Sequence, residues 1–200
     1  MDWFRLRHTL GLCMKSTGFK RADYIREKKL FRHVGEHCMF MFRKLPLYGD
    51  LISVGNNVFF ASNVSLVTHD VTHKMLNKYD PALKLSEYIG CIEIGDNVFV
   101  GLKSIILPNV HIGSNVVIGA GSVVAKNIPD NSVAVGNPAK VICTCDEYIL
   151  KHKKAIEEHP ENVYWNTYRA DMTEEERIKF NSDIDSKIVY MMEKEEENKP

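Results

Sequence analysis

A chain of 200 residues with 44% hydrophobic content suits one domain with a sizeable core and some appended helices. Twenty-six Lys and Arg balance twenty-six Asp and Glu, so bulk charge gives no pull toward nucleic acid or an anionic membrane. There is no apolar run near 18 residues and no charged-then-apolar leader, so neither an integral membrane segment nor export is expected.

Charge is uneven along the chain. Residues 1–32 hold nine Lys and Arg against Asp2, Asp23 and Glu27. Residues 171–200 hold ten Asp and Glu against five Lys and Arg. Both stretches read as solvated helical faces or as a basic segment meeting acidic partners at a subunit contact. Trp3, Leu6 and Leu10, then Tyr24, Ile25 and Phe31, predict one or two N-terminal helices over 1–32 that cap the open end of the next element.

That element is a six-residue repeat, which begins weakly at Val34-Gly-Glu-His-Cys-Met and Phe40-Met-Phe-Arg-Lys-Leu. It is clear in Val54-Gly-Asn-Asn-Val-Phe, Phe60-Ala-Ser-Asn-Val-Ser and Leu66-Val-Thr-His. Val54 and Ile94, where the repeat resumes, lie 40 residues apart, not a multiple of six. A loop insertion over residues 70–92 is therefore expected, and long loops on rigid scaffolds carry or cover sites.

From Ile94 six units follow without a break. Their first positions are Ile94, Val100, Ile106, Ile112, Ile118 and Val124, all β-branched. Their second positions are Gly95, Gly101, Leu107, Gly113, Gly119 and Ala125, and their fifth are Val98, Ser104, Val110, Val116, Ser122 and Ile128. A unit of this length is a short strand plus a turn. Stiff β-branched side chains fill the narrow interior, and Gly or Asn at the corners tolerates positive φ. Three units close one coil, and stacked coils pair equivalent strands. The fold predicted over residues 33–143 is a parallel β-helix.

Beyond it, residues 144–200 read as a helical extension. Residues 146–171 mix helix and loop, and Thr173-Glu-Glu-Glu is a capping-box start. Phe180, Ile184, Ile188 and Met191 follow at helical spacing, and residues 193–200 fray. Cys13, Cys38, Cys91, Cys143 and Cys145 are odd in number and scattered. They form no disulfide framework and fit a reduced, cytoplasmic setting. Cys91 could be a nucleophile, but no spacing supports that and a packed thiol is expected; Cys143 and Cys145 are read as packing.

With the coils around Thr68-His69-Asp70, the unbroken run from Ile94, and the closing Val135-Gly-Asn-Pro-Ala-Lys140 on the page, the chain resembles the hexapeptide-repeat acyltransferases. Within them it is most similar to the galactoside/maltose and capsular-polysaccharide O-acetyltransferases. The resemblance spans roughly residues 34–142. It implies a mainly β, left-handed coil, a homotrimer with sites between neighbouring chains, and acetyl-CoA as co-substrate. It implies His69 as the catalytic histidine and the Leu102 backbone N–H as oxyanion donor. It sets Phe99, Gly101, Gly119, Ala120, Lys126 and Lys140 along the donor, with Ala120 against the pantetheine arm and Lys140 near the nucleotide phosphates. Phe99 stands where such enzymes often carry Trp, and Cys143 where they often carry a basic residue.

A hydroxyl needs a base as it attacks a thioester, and the oxyanion formed needs donors. Histidine titrates nearest neutral pH and suits the task. His69 is the candidate base, Asp70 its adjacent candidate partner, and His73 a possible further site residue. The expected reaction is direct transfer of acetyl to a hydroxyl of a sugar or glycan, with no metal. Three alternatives stay open: N-acetylation of a nucleotide-linked amino sugar, a zinc carbonic anhydrase-like enzyme using His69, His73 and His111, and a non-catalytic β-helix scaffold. The acceptor itself is not legible.

Overall fold

The computed structural model describes residues 3–158 and 172–197. Two helices, α1 (Trp3–Cys13) and α2 (Gly18–Glu27), lead into β1 (His33–Val34) and β2 (Met39–Phe40). β3 (Ile52–Val54), β4 (Val58–Phe60) and β5 (Ser65–Leu66) make the next turn of chain. An excursion follows, of β6 (His69–Asp70), α3 (Thr72–Tyr79) and β7 (Tyr88–Ile89). The coil then resumes with β8 (Ile92–Ile94), β9 (Val98–Val100), β10 (Ile105–Ile106), β11 (Val110–Ile112), β12 (Val116–Ile118) and β13 (Val123–Val124). β14 (Ser132–Gly136) and β15 (Ala139–Thr144) precede α4 (Cys145–Glu158) and α5 (Glu174–Glu197).

Consecutive strands fall on successive faces, so three units make one coil. The faces are β1-β3-β8-β11, β2-β4-β9-β12-β14 and β5-β10-β13, and these neighbours are parallel. Register follows the repeat: Val54 pairs with Ile94 and Ile112 with Ile94, while Leu66 and Val124 both pair with Ile106. β3 therefore meets β8 directly, and the insertion leaves the coil without interrupting it. Every first-position residue from Val34 to Val124 is buried, none more than 7% exposed. The fifth-position serines are buried too, with Ser104 and Ser122 Oγ donating to the Gly119 carbonyl at 3.0 and 2.7 Å.

The corners obey a rule finer than the expectation. The fourth residue is left-handed in eight of the units: His37, Asn57, Asn63, Asn97, Lys103, Asn109, Asn115 and Gly121 have φ between 54° and 70°. Asn is the side chain that tolerates this best, and three of these asparagines also bond in a ladder. Asn57 Nδ2 donates to Asn97 Oδ1 (2.9 Å) and Asn97 Nδ2 to Asn115 Oδ1 (3.0 Å). The second-position glycines are needed for another reason than positive φ. A Cβ on Gly101 would stand 2.5 Å from the Ala120 nitrogen, so close stacking of coils demands them.

α2 closes the first coil. Its buried Arg21 donates from Nε to the Phe40 carbonyl (2.7 Å) and from Nη1 to the Lys15 carbonyl (2.8 Å). At the other end the parallel run finishes with β14, within the 33–143 span read as the β-helix domain. β15 turns back antiparallel on β14, because Gly136 (φ 101°) and Pro138 reverse the chain. The expected mainly β composition also needs correcting, since the five α-helices hold more residues than the short strands. Coil strands are only two or three residues long, and much of each turn is corner.

Cys91 is exposed, contrary to a packed thiol. It precedes the inward-facing Ile92, and alternation turns it out. Two compact units are present, residues 1–148 and 149–200. α5 opens with the expected reciprocal cap, Glu176 N–H to Thr173 Oγ1 (3.2 Å) and Thr173 N–H to Glu176 Oε2 (2.8 Å). It runs to Glu197, past the fraying expected from 193. Of the mixed segment 146–171, residues 159–171 lie outside the described residues, as do 198–200. No helix among the described residues is long and apolar enough to cross a membrane.

Candidate active site

The chain leaves the coil at Thr68. That residue is 1% exposed, and its Oγ1 donates to the Leu47 carbonyl at 2.6 Å. This bond ties the irregular 42–48 segment to the end of β5 and sets the place of the next residue, His69. The His69 backbone pairs with Ile89 across β6 and β7, so the insertion's two strands fix it from one side. The Tyr48 ring meets its imidazole edge-on, with centroids 5.4 Å apart and planes at 85°. Tyr48 is held in a left-handed backbone (φ 51°), a conformation that persists in a Tyr only where its surroundings impose it.

His69 Nδ1 is buried without a hydrogen-bond partner among the described residues, and so is His73 Nδ1. Orphaned buried polar atoms are rare and each calls for an explanation; here both fall at the insertion. A cavity of about 420 Å³ opens beside His69, lined by Arg5, by residues 42–47 and by residues 63–67.

Asp70 turns away from this role. Its carboxylate accepts from Thr72 N–H (2.5 Å) and from Thr72 Oγ1. Those two bonds hold the carboxyl below its usual range. It braces the turn into α3 and makes no hydrogen bond with His69. Glu87 was not suspected from sequence, yet Tyr48 Oη lies 3.3 Å from both its carboxylate oxygens. Loss of solvent, and then the Glu87 charge, push the Tyr48 hydroxyl up, which keeps it protonated and able to donate.

The remaining candidates gather elsewhere. Gly101, Leu102, Gly119 and Ala120 occupy the corner between the β9–β12 face and the β10–β13 face. Leu102 accepts from Gly121 N–H (2.8 Å), while its own N–H donates to no group among the described residues. Phe99, 43% exposed, faces outward beside that corner between Phe59 and Val117. Lys126 follows β13 and Lys140 pairs with Val135 in the terminal hairpin; both are exposed. His69 instead follows β5, at the opposite end of the β5–β10–β13 face. One six-residue unit at about 3.3 Å per residue puts the two corners up to about 20 Å apart in one chain. A single chain thus does not bring His69 and Leu102 together. His111 is apart from both, with Nδ1 3.5 Å from Glu93, and among the described residues no three His, Cys, Asp or Glu side chains could hold a metal ion.

Residues 91–126 match the family described as bacterial transferase hexapeptide (six repeats). Protein CapG of Staphylococcus aureus is 43% identical over 127 residues, covering 62% of this chain and 72% of its own length. The putative acetyltransferase YvoF of Bacillus subtilis (strain 168) is 32% identical over 126 residues, 62% of this chain and 67% of that protein. A galactoside O-acetyltransferase of Lactococcus lactis is 36% identical over 138 residues, 57% of this chain and 63% of its own length.

Proposed function

This chain belongs to the hexapeptide-repeat transferases and is an acetyltransferase, and we propose that it moves acetyl from acetyl-CoA directly to a hydroxyl of a sugar or glycan. In this reading the coil is left-handed and three copies assemble. The corner of one chain that carries His69 then faces the corner of the next that carries Leu102. The observation that carries the reading is the placement of His69. It ends a coil beside a small-molecule-sized cavity, with Nδ1 shut off from solvent, which leaves Nε2 to meet a hydroxyl.

The steps follow from that placement. His69 Nε2 takes the proton as the hydroxyl oxygen attacks the thioester carbonyl. The carbonyl oxygen, now negative, is met by the Leu102 N–H of the neighbouring copy, which has no other partner among the described residues. Collapse breaks the carbon–sulfur bond, and the imidazolium returns its proton to the departing thiolate. Asp70 acts as a positioning residue, through the turn it makes with Thr72. Glu87 and Tyr48 hold the ring edge-on. Phe99, Gly101, Gly119 and Ala120 form the wall along which the donor lies. Gly101 and Gly119 let coils approach closely enough to expose the Leu102 and Ala120 backbone. Lys126 and Lys140 are in no ion pair among the described residues, and each can meet a donor phosphate as a point charge.

Acetyl-CoA at about 100 times its dissociation constant raises the stability of the purified protein by about 2.7 kcal/mol, visible as a rise in melting temperature. Lys140→Ala needs more acetyl-CoA for the same rise. An unchanged melting temperature at millimolar acetyl-CoA contradicts the proposed donor.

A further inference from the structure

The cavity beside His69 has a charge pattern that the transfer itself does not require. Arg5, Arg43 and Lys44 all line it, and among the described residues no Asp or Glu does. These cations are built in by the fold. Residues 5, 9 and 13 lie along one side of α1 and brace the strip 43–45. Arg5 Nε donates to the Leu45 carbonyl (2.8 Å), Leu45 N–H donates to Thr9 Oγ1 (3.2 Å), and Arg43 Nη1 donates to the Cys13 carbonyl (3.3 Å). Phe42 and Leu45, both buried, anchor the strip from below. Neither Arg43 nor Lys44 forms an ion pair among the described residues. Arg43 and Lys44, adjacent like charges on one small cavity, repel each other, and an arriving anion relieves that repulsion.

We infer that the acceptor is an acidic saccharide, whose carboxylate or phosphate is met by Arg43 and Lys44 while one of its hydroxyls stands at His69 Nε2. This rests on the reading of His69 as the base of an acetyl transfer. A volume near 420 Å³ holds a small saccharide. The Arg43 guanidinium offers donors suited to a carboxylate or phosphate, and Lys44 a point charge. The donor's phosphates are assigned to Lys126 and Lys140, in the last coil and hairpin, whereas these cations lie at the first coils. Acceptor and donor charges are thus recognised at opposite ends of the site.

The test compares matched acceptors with acetyl-CoA: methyl glucuronide and glucose 1-phosphate against methyl glucoside. The wild-type protein favours one of the charged members in kcat/KM by roughly tenfold or more, the range of a hydrogen bond to a charged group. Which one it favours tells carboxylate from phosphate. In the Arg43→Gln/Lys44→Gln double variant the ratio falls toward one, with KM for acetyl-CoA unchanged. Equal use of charged and neutral acceptors by the wild type overturns the inference. A raised KM for acetyl-CoA in the variant also overturns it, since the cations would then hold the donor. Calorimetric binding of the same three compounds is read separately from turnover. No preference for a charged compound there sinks the acidic acceptor, whereas preference without any acetyl transfer keeps it and removes the O-acetylation reading.

Discussion

Replacing His69 with alanine lowers kcat for acetyl transfer by roughly 10²- to 10⁴-fold, the usual contribution of a positioned general base. The melting temperature changes little. His69 is half-buried and its Nδ1 bonds to nothing among the described residues, so truncation removes no hydrogen bond from the fold. Its backbone pairing with Ile89 is independent of the side chain. Loss of activity with an intact melting curve therefore reports on chemistry. A variant that keeps more than a tenth of wild-type kcat would show that another group takes the proton.

Leu102→Pro removes one backbone N–H and costs roughly 10²–10³ in kcat, the loss measured for a missing oxyanion donor. Proline is chosen because the next unit of the coil already carries one at the equivalent third position, Pro108 after Leu107, with the left-handed Asn109 following as Lys103 follows Leu102. The preceding residue is Gly101, which tolerates the restriction a proline imposes on its neighbour. The coil is thus expected to fold, and acetyl-CoA still to raise its melting temperature. Unchanged kcat in a folded Leu102→Pro protein removes the Leu102 N–H from the mechanism.

The coil was readable because its signal is local and periodic. Each first-position residue from Val54 to Val124 carries its own evidence for facing inward. The fourth-position asparagines announce their corners in the same way. The role of the second-position glycines was misread, since close approach of Gly101 to Ala120 involves a strand one coil away and leaves no mark in a single unit. The reversal into β15 was missed for a related reason. Val133 and Val135 continue to read as coil, and only Gly136 and Pro138 turn the chain. Within the insertion, α3 is short and its N-cap residue, Val71, has no side chain able to cap it, so no start signal announced it.

The site was half legible. His69 stood out through its place at the end of a coil, and Leu102 through resemblance. Tyr48 and Glu87 meet across 39 residues of sequence, and Arg5 reaches the 43–47 strip only because α1 packs along it. No motif encodes such meetings. Asp70 was suspected because it adjoins His69, but a neighbour along a strand faces away, and its carboxylate found Thr72.

The central claim is that each site takes His69 from one copy and Leu102 from the next. Mixing two inactive variants, His69→Ala and Leu102→Pro, and letting them reassemble tests it directly. In mixed trimers some sites then receive an intact His69 from one chain and an intact Leu102 from its neighbour. Random assembly with rotational symmetry should restore acetyl transfer to about a quarter of the wild-type rate. If the mixture is no more active than its two components, each site is built within a single chain and the account of this enzyme is wrong.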